Sequence, residues 1–518
     1  MLSNNYKWLS HLEDSIPLEA TKNNISMYTI ALEAWRRGIS VYFYRKIEDG
    51  QVRLRYKLRF GNKEYLFSGS KGSLITPEAV KICDDKSLTY DTLAQKNVPV
   101  PKGKKFNENH SDQELIDYAK EINFPVVLKP TDGRAGKGVY ANIQTEEELI
   151  NALKNVRVKM GYKEVILQQH VYGNEIRVFV FKDKVISAIN RIPANVVGDG
   201  KKSIRQLIKD KNELRKSVPH LYFRPIRINS ETHTSLKKIN YNLDTILPKG
   251  QRVFLRDISN ISAGGDPIDY TEKLTEKQKD IAIRATQAVP GLLHCGLDMI
   301  INEDTNEGVI IELNTRPGLG SHLFPVEGVG VDVPKLIIDH YFPETKDSII
   351  NNESFFDFDS AVAALRFGAI SEVEVRPMPM NKLYKKRVTL ELKRKVKNKI
   401  GEIKQLAIAY NINGHLELQS NKKVELVIAT EDQLELTKFI KEIEELLSDD
   451  LKTITKCSYT KPVRIGFLIK GDLSCISAAL IKLKTNQIFY EMSLIANELI
   501  KFKIMNHLSK FIRKALGI

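Results

Sequence analysis

The 518-residue chain is 42% hydrophobic and 28% charged and contains only four cysteines. This balance excludes an intrinsically disordered chain, and the length predicts several domains. Scattered cysteines without a Cys-x-x-Cys pair argue against a disulfide framework or a zinc site and favour a reducing compartment.

The formal net charge of +15 favours anionic partners: nucleotides, acidic substrates, nucleic acid or a membrane surface. The first residues lack a signal-peptide pattern, and no stretch approaches 18 apolar residues. We therefore expect a cytoplasmic protein without a membrane span.

Helical and strand patterns alternate along the first two thirds of the chain. A helix and then a strand are predicted over 25–47, ending the helix at Gly38, and two short helices precede the proline-marked turn near Pro99. Strands are also predicted at 52–60 and 63–69, before that turn. After the turn, the predicted elements are helix 112–121, strand 125–129, a glycine loop, helix 145–155 and strands 164–168, 176–181 and 184–190. This alternation predicts an α/β or α+β fold.

The sequence changes character after about residue 345. Residues 346–384 are predicted as a linker, and 382–404 hold ten Lys or Arg against two acids. This basic stretch has almost no interleaved aromatics, so a solvated surface is favoured over nucleic-acid binding. The chain closes on a predicted C-terminal helix within 471–518.

The stretch "VVLKPTDGRAGKGV", 126–139, combines an apolar run ending at Lys129 with a glycine loop. Thr131 stands where a P-loop has its first glycine, and Lys137 is followed by Gly138 rather than Ser or Thr. The dinucleotide fingerprint also fails, because the glycine spacing is reversed. The loop is typical of phosphate binding, but of neither familiar type.

Three oxygen-bearing side chains follow in two apolar strands. Glu312 and Asn314 lie two residues apart and therefore on one face of a strand, and Asp298 lies in the preceding strand. Carboxylate and amide oxygens are ligands of Mg²⁺. Solvated acids at strand ends are the alternative, but together with the lysines and the glycine loop the trio predicts a site for ATP phosphates.

At this point the sequence resembles the ATP-grasp carboxylate–amine ligases, most closely the ligase module of bifunctional glutathione synthetases and cyanophycin synthetase. The resemblance covers about residues 25–345. It is carried by five segments in order: "DDKSLTYDTLAQKNVPVP", "VVLKPTDGRAGKGV", "ILQQHVYGNEIRVFVFKDKVISAINRIPANVVGDGKKSI", "VFLRDISNISAGGDPIDYT" and "GLDMIINEDTNEGVIIELNTRPG".

The resemblance implies an α+β ATP-grasp fold. The implied divisions are an N-terminal pre-ATP-grasp domain 1–105, a central lid subdomain 106–190 and a metal and substrate subdomain 191–345. Residues 385–470 more faintly resemble an acylphosphatase, a ferredoxin-like fold. Ile400 and Leu418 stand where that family has its catalytic arginine and asparagine, so a non-catalytic module is expected.

The resemblance also implies ATP and two Mg²⁺ ions as cofactors, with Mn²⁺ as an alternative ion. Asp298, Glu312 and Asn314 correspond to the metal ligands. The implied ATP-binding residues are the phosphate lysines Lys86 and Lys129 (Lys129 also near adenine), the lid residues Gly133, Gly136, Lys137 and Gly138, the adenine hinge with Gln168, Gln169 and Val171, and Glu175 on the ribose. Gln168 and Gln169 stand where relatives usually have acids.

Two arginines are implied as catalytic. D-alanine–D-alanine ligases carry an arginine two residues before the first metal aspartate, and that position is Gly296 here. In glutathione synthetases an arginine comes instead from a segment resembling "LRDISNISAGG", so Arg256 is expected to stabilise the tetrahedral intermediate, with Gly264 and Gly265 leaving room for the acyl group. Arg316 is expected to clamp a substrate carboxylate or to form a structural salt bridge.

The leading hypothesis is an ADP-forming ligase that joins an amino acid or peptide carboxylate to an amine through an acyl phosphate. The sequence holds no glutamate–cysteine ligase module before this region and no P-loop after it, so we expect a stand-alone ligase. Modification of an anionic envelope polymer, and a non-catalytic nucleotide-binding scaffold, stay open as alternatives. Nucleic acid is disfavoured as a partner, and a homodimer is left open.

Overall fold

The computed structural model describes residues 6–48, 50–131, 138–256, 259–348, 350–394 and 399–470. The chain forms two compact units. The first comprises residues 6–10, 21–30 and 65–341, and the second comprises 11–20, 31–64 and the described chain from 342 onward. The predicted C-terminal helix within 471–518 lies outside the described residues.

Several helices begin at capping boxes, in which the first side chain accepts from the backbone three residues on; Ser111, Ser203 and Thr275 are such caps. In chain order the helices are α1 Leu18–Thr21, α2 Ile25–Arg36, α3 Pro77–Asp84, α4 Lys86–Gln95, α5 Asp112–Ile122, α6 Glu146–Leu153, α7 Ile204–Arg215, α8 Ser230–Lys238, α9 Glu276–Gln287, α10 Gly320–Leu323, α11 Val333–Tyr341, α12 Phe358–Arg366, α13 Ile400–Ala409 and α14 Gln433–Leu446.

The strands are mostly short. In chain order they are β1 Tyr6–Lys7, β2 Ser40–Glu48, β3 Gln51–Phe60, β4 Lys63–Ser68, β5 Lys71–Gly72, β6 Gly103–Phe106, β7 Val126–Pro130, β8 Tyr140–Ile143, β9 Val165–Gln169, β10 Asn174–Phe181, β11 Lys184–Ile192, β12 Asn195–Val197, β13 Arg252–Phe254, β14 Asp266–Asp269, β15 His294–Asn302, β16 Glu307–Asn314, β17 Gly328–Val329, β18 Ser354–Phe356, β19 Glu372–Glu374, β20 Tyr384–Leu392, β21 Asn413–Ser420, β22 Lys423–Thr430, β23 Leu451–Ser458, β24 Val463–Ile465 and β25 Phe467–Lys470.

The first unit contains a five-stranded sheet in the order β14-β11-β10-β15-β16, antiparallel throughout. One face of this sheet packs into an apolar core that includes Ile176, Val178, Leu297, Met299 and Leu313. Successive side chains of a strand point to opposite faces. The residues between these apolar ones therefore share the other face.

A four-stranded antiparallel sheet in the order β6-β9-β7-β8 belongs to the same unit. Val126, Leu128, Val165 and Leu167 point into its own core, with α5 and α6 on that side. The antiparallel pairing of both sheets makes this an α+β rather than a doubly wound arrangement.

The second unit contains a five-stranded sheet in the order β23-β20-β22-β21-β25. The elements β20, α13, β21, β22, α14 and β23 follow the β-α-β-β-α-β order of the split β-α-β arrangement. Leu390, Leu426 and Phe439 lie in the core of this sheet and its helices. The resemblance to an acylphosphatase stays a prediction.

The structure differs from the predicted divisions in two places. Residues 346–384, predicted as a linker, contain β18, α12 and β19, because apolar side chains such as Phe358 and Leu365 are fully buried there. Residues 31–64 belong to the second unit rather than to one domain over 1–105. The cause is a long-range pairing of β2 with β19, in which Phe43 lies opposite Val373.

No helix of the described chain is both long enough and apolar enough to cross a membrane.

Candidate functional site

One face of the first unit's five-stranded sheet is rich in charged and polar side chains. We call it the site face and define it by the following residues among those that point away from the apolar core: Glu175 and Arg177 on β10, Arg191 on β11, Gly296 and Asp298 on β15, and Glu312 and Asn314 on β16. Four of the five strands therefore contribute to the site face.

The strand register brings the three predicted metal residues together. Asp298 lies directly opposite Glu312, and Gly296 lies opposite Asn314. Directly opposed Cβ atoms of an antiparallel pair are about 5 Å apart. The adjacency of these strands is therefore as predicted, and the role of the side chains as metal ligands stays a prediction.

Asp298 is buried and doubly ion-paired. Arg177, its neighbour across the β10–β15 pair, donates Nε to Oδ1 and Nη2 to Oδ2, the latter at 2.9 Å. Arg191 Nη2 lies 3.1 Å from Oδ1. Burial by itself raises the pKa of Asp298, but the two guanidinium groups outweigh it and hold that pKa below its ordinary value.

Arg177 and Arg191 were not among the residues predicted from the sequence. A side chain built at Gly296 would place its Cβ 3.5 Å from Arg177 Cδ and 2.5 Å from Pro317 Cβ. The space beside Gly296 is thus filled by Pro317, and Arg177 of the neighbouring strand lies at van der Waals distance. The available signal was a single cation in each of two apolar strands, "NEIRVFVF" and "SAINRIP".

The residues around Asp298 differ in how they are paired. Glu175, expected on the ribose, forms an ion pair with Arg191. Glu312 and Asn314 are partly exposed, and within the described chain their side chains have no hydrogen-bond or ion-pair partner. A carboxylate and an amide without partners, beside a buried ionised carboxylate, are a donor set that Mg²⁺ accepts when phosphates and water complete the shell.

The described residues contain no group of three or more His, Cys, Asp or Glu side chains with metal-binding geometry. Asp298, Glu312 and Asn314 provide two carboxylates and one amide. The set therefore suits a hard cation shared with a phosphate ligand rather than a metal enclosed entirely by protein.

Lys129 lies on the face of β7 opposite the core residues Val126 and Leu128 and is only 6% exposed. Its Nζ donates to Tyr90 Oη at 2.8 Å, and no described carboxylate forms an ion pair with it. Burial and the nearby Lys86 lower the pKa of Lys129 to about 7, although Glu312 acts in the opposite direction. A buried ammonium with only a neutral acceptor is suited to an incoming anion.

Lys86 is the first residue of α4, and Asp85 caps that helix by accepting from the Ser87 and Leu88 amides. The end of the helix therefore presents its positive dipole and the Lys86 ammonium together. After burial, the charge of Lys86 is the next cause that lowers the pKa of Lys129.

The predicted adenine hinge comprises the last two residues of β9, Gln168 and Gln169, and the chain that follows to Val171. Gln168 is buried at 3% exposure, and within the described chain its Oε1 has no hydrogen-bond partner. Gln169 is exposed, and its backbone N–H donates to the Lys102 carbonyl. The Val171 N–H has no acceptor among the described residues, so it is available to a ligand.

Gly133, Gly136 and Lys137 of the predicted lid lie outside the described residues. Gly138 is described and has a φ of +76°, a left-handed conformation that favours glycine. A Cβ there would lie 3.1 Å from Pro130 Cγ. Gly138 therefore returns the chain closely over the end of β7.

The predicted catalytic arginines lie apart from the Asp298 ion pairs. Arg256 forms an ion pair with Glu231, and Arg316 is exposed and donates from Nη1 to Ser68 Oγ at 3.0 Å. Among the described contacts, neither arginine pairs with Asp298 or Glu312. Their catalytic roles stay predictions.

The expectation for Gly264 and Gly265 needs correction. A Cβ at Gly264 would lie 2.8 Å from Ile226 Cγ1, and one at Gly265 would lie 2.7 Å from the Ile192 carbonyl oxygen. The space beside these glycines is filled by the protein itself. They permit close backbone packing rather than leaving room for an acyl group.

Comparison with known proteins gives three findings. Residues 83–214 match the RimK-like ATP-grasp domain. The chain is 32% identical over 324 residues to the glutathione biosynthesis bifunctional protein GshAB of Listeria welshimeri, covering 61% of this chain and 41% of that protein. It is also 32% identical over 279 residues to the cyanophycin synthetase of Geminocystis herdmanii, covering 52% of this chain and 32% of that protein.

A solved bifunctional glutathione synthetase from Pasteurella multocida is 28% identical, with a TM-score of 0.45, and the match covers 58% of this chain and 41% of that one. The chain spans less than half the length of the curated relatives that it matches. Over the matched regions the chain is similar to the RimK-like ATP-grasp domain and to parts of the bifunctional glutathione synthetases and cyanophycin synthetases.

Proposed function

We propose that the protein is an ADP-forming, ATP- and Mg²⁺-dependent ligase that joins an amino acid or peptide carboxylate to an amine. The observation that carries the proposal is the site face: Asp298, Glu312 and Asn314 share one surface of two adjacent strands. The RimK-like ATP-grasp match and the homology to amide-forming synthetases support it.

The nucleotide phosphates are assigned to the cations of the first unit. Lys129 is buried without an anionic partner among the described residues, and Lys86 lies nearby. The adenine is assigned to the hinge, where the Val171 N–H is available and Gln168 offers a buried amide. Glu175 is assigned to the ribose, for which its pairing with Arg191 must rearrange.

Asp298, Glu312 and Asn314 would hold the magnesium ions. Bound there, Mg²⁺ would neutralise charge on the β- and γ-phosphates. Arg177 and Arg191 hold the pKa of Asp298 below its ordinary value, but they also occupy both of its carboxylate oxygens, so these ion pairs must rearrange before Asp298 can bind a cation. The released guanidinium groups would be available to stabilise negative charge on a transferring phosphoryl group.

The reaction has two steps. The substrate carboxylate attacks the γ-phosphate, ADP leaves, and an acyl phosphate forms; the amine then attacks the acyl carbon, and phosphate leaves with formation of the amide. Arg256 is assigned to the tetrahedral intermediate and Arg316 to a substrate carboxylate. A closed lid over 132–138 would keep water from the acyl phosphate.

The substrates are proposed only as a class, an amino acid or short peptide carboxylate and an amine, and the cytoplasm is the proposed compartment. An anionic polymer as amine donor and a non-catalytic scaffold are the alternative functions that the test below distinguishes from a small-molecule ligase.

The test is Mg-ATP-dependent phosphate release with single and paired amino acids and short peptides. Glu312→Gln is measured beside Glu307→Gln, since Glu307 is exposed at the start of the same strand. The proposal expects release that needs a particular pair, vanishes in Glu312→Gln and persists in Glu307→Gln. Release that survives in Glu312→Gln would contradict the site. ADP binding without turnover on any pair would contradict a small-molecule ligase and favour the polymer or scaffold alternatives.

A further inference from the structure

Tyr90 on α4 connects the four-stranded and the five-stranded sheet of the first unit through its hydroxyl group. The hydroxyl accepts from Lys129 Nζ on β7 at 2.8 Å and donates to the Ile311 carbonyl on β16 at 2.8 Å. Ile311 directly precedes Glu312. One oxygen atom therefore lies between the buried lysine and the strand that carries the predicted metal ligand.

The directions of these two hydrogen bonds are fixed by chemistry. A backbone carbonyl can only accept, whereas a lysine nitrogen can donate in either protonation state. The Tyr90 hydroxyl must therefore give its single proton to Ile311 and accept from Lys129. Burial and the nearby Glu312 raise the pKa of Tyr90, so the hydroxyl keeps that proton at neutral pH.

Packing alone does not require the hydroxyl. The residues of α4 that are buried in the apolar core include Leu93, and a phenylalanine ring would fill the volume of the tyrosine ring. The hydroxyl, in contrast, is the only acceptor of Lys129 Nζ among the described residues. Its removal would leave a buried ammonium and a strand carbonyl without a partner.

We propose that Tyr90 is a positioning residue that holds the Lys129 ammonium toward the nucleotide phosphates and fixes its distance from Glu312. The proposal rests on the proposed function, because it assigns Lys129 to the phosphates. The lysine and the metal strand then act as one rigid unit, since Tyr90 bonds to both. Two charged groups act on the pKa of Lys129: Lys86 lowers it and Glu312 raises it.

The experiment is calorimetric titration of the full chain with ADP, with EDTA and then with Mg²⁺. The variants are Tyr90→Phe, Lys129→Met and the double variant. Tyr118→Phe is the matched control, because Tyr118 packs on the core of the four-stranded sheet and its hydroxyl bonds to no other described residue. Melting temperatures show whether each variant is folded.

We expect Tyr90→Phe to weaken ADP binding about 10-fold, the usual effect of losing a hydrogen bond to a charged group. In the Lys129→Met background the same change should have no further effect, because the group that Tyr90 positions is gone. Tyr118→Phe should bind ADP as the wild type does.

Two results would overturn the inference: wild-type ADP affinity in Tyr90→Phe, or an equal loss in both lysine backgrounds, which would indicate a general structural role. Failure of the wild-type protein to bind ADP is a different result. It would contradict the proposed function itself, and with it this inference.

Discussion

The five-stranded sheets β14-β11-β10-β15-β16 of the first unit and β23-β20-β22-β21-β25 of the second unit both pack one face into an apolar core, and the ion pairs on their other faces differ in exposure. In the first unit, Arg177 and Asp298 form an ion pair whose side chains are 18% and 8% exposed. In the second unit, Arg387 and Glu425 lie 3.7 Å apart with side chains 41% and 21% exposed. Burying a charge is costly unless it is paired, so we expect the more buried pair to belong to the functional sheet.

The largest expected effect is that of breaking the buried Arg177–Asp298 ion pair. Asp298→Asn leaves Arg177 without its anion, although Arg191 keeps Glu175. Breaking a buried pair typically costs about 3–5 kcal/mol, so we expect a melting temperature lower by roughly 5–10 °C. An unchanged melting temperature would show that the Asp298 pair is as solvated as the pair in the second sheet.

Lys129→Met should give a smaller effect of opposite sign. The ammonium is buried with one neutral acceptor, so an apolar side chain of similar length should raise the melting temperature at pH 7 by about 5 °C. ADP affinity should fall in the same variant. A lower melting temperature would indicate that Lys129 stabilises the free protein, contrary to its burial.

The pH dependence of the stabilisation expected for Lys129→Met is a further test with a smaller effect. Because the pKa of Lys129 falls to about 7 on folding, the unfolded chain binds more protons than the folded one between pH 7 and about 10. The unfolding free energy of the wild type therefore rises with pH across this window. Melting at several pH values should show the advantage of Lys129→Met shrinking as the pH rises, whereas a constant advantage would argue against a lowered lysine pKa.

The smallest effect is expected in the second sheet. Glu425→Gln removes a partly exposed pair, and such pairs contribute about 0–1 kcal/mol. We expect a melting temperature within about 2 °C of the wild type and unchanged ADP affinity. A loss comparable with that of Asp298→Asn would remove the distinction between the two sheets.

Local pattern was enough to predict much of the fold and part of the site. The alternating residues around Asp298 and Glu312 predict two strands whose polar side chains share a face, and β15 and β16 pair in that way. The helix predicted over 112–121 closely matches α5, because a capping box and an apolar stripe define it.

Contacts between residues far apart in the chain could not be predicted from the sequence. Arg177 is 121 residues from Asp298, and only the placement of β10 beside β15 makes them partners. Tyr90 was likewise missed, because nothing in α4 indicates that its hydroxyl bonds to strands 39 and 221 residues away. The second unit recruits residues 31–64 for the same reason, through the pairing of β2 with β19.

The interleaving of the two units has a practical consequence for anyone who would separate them. The chain passes between the units at 10/11, 20/21, 30/31, 64/65 and 341/342. A cut after the homologous region would remove β19 and leave β2 with one edge unpaired, an edge open to aggregation. The homologous region is therefore not a self-contained fragment, because it holds only four of the five strands of the sheet β19-β2-β3-β4-β5.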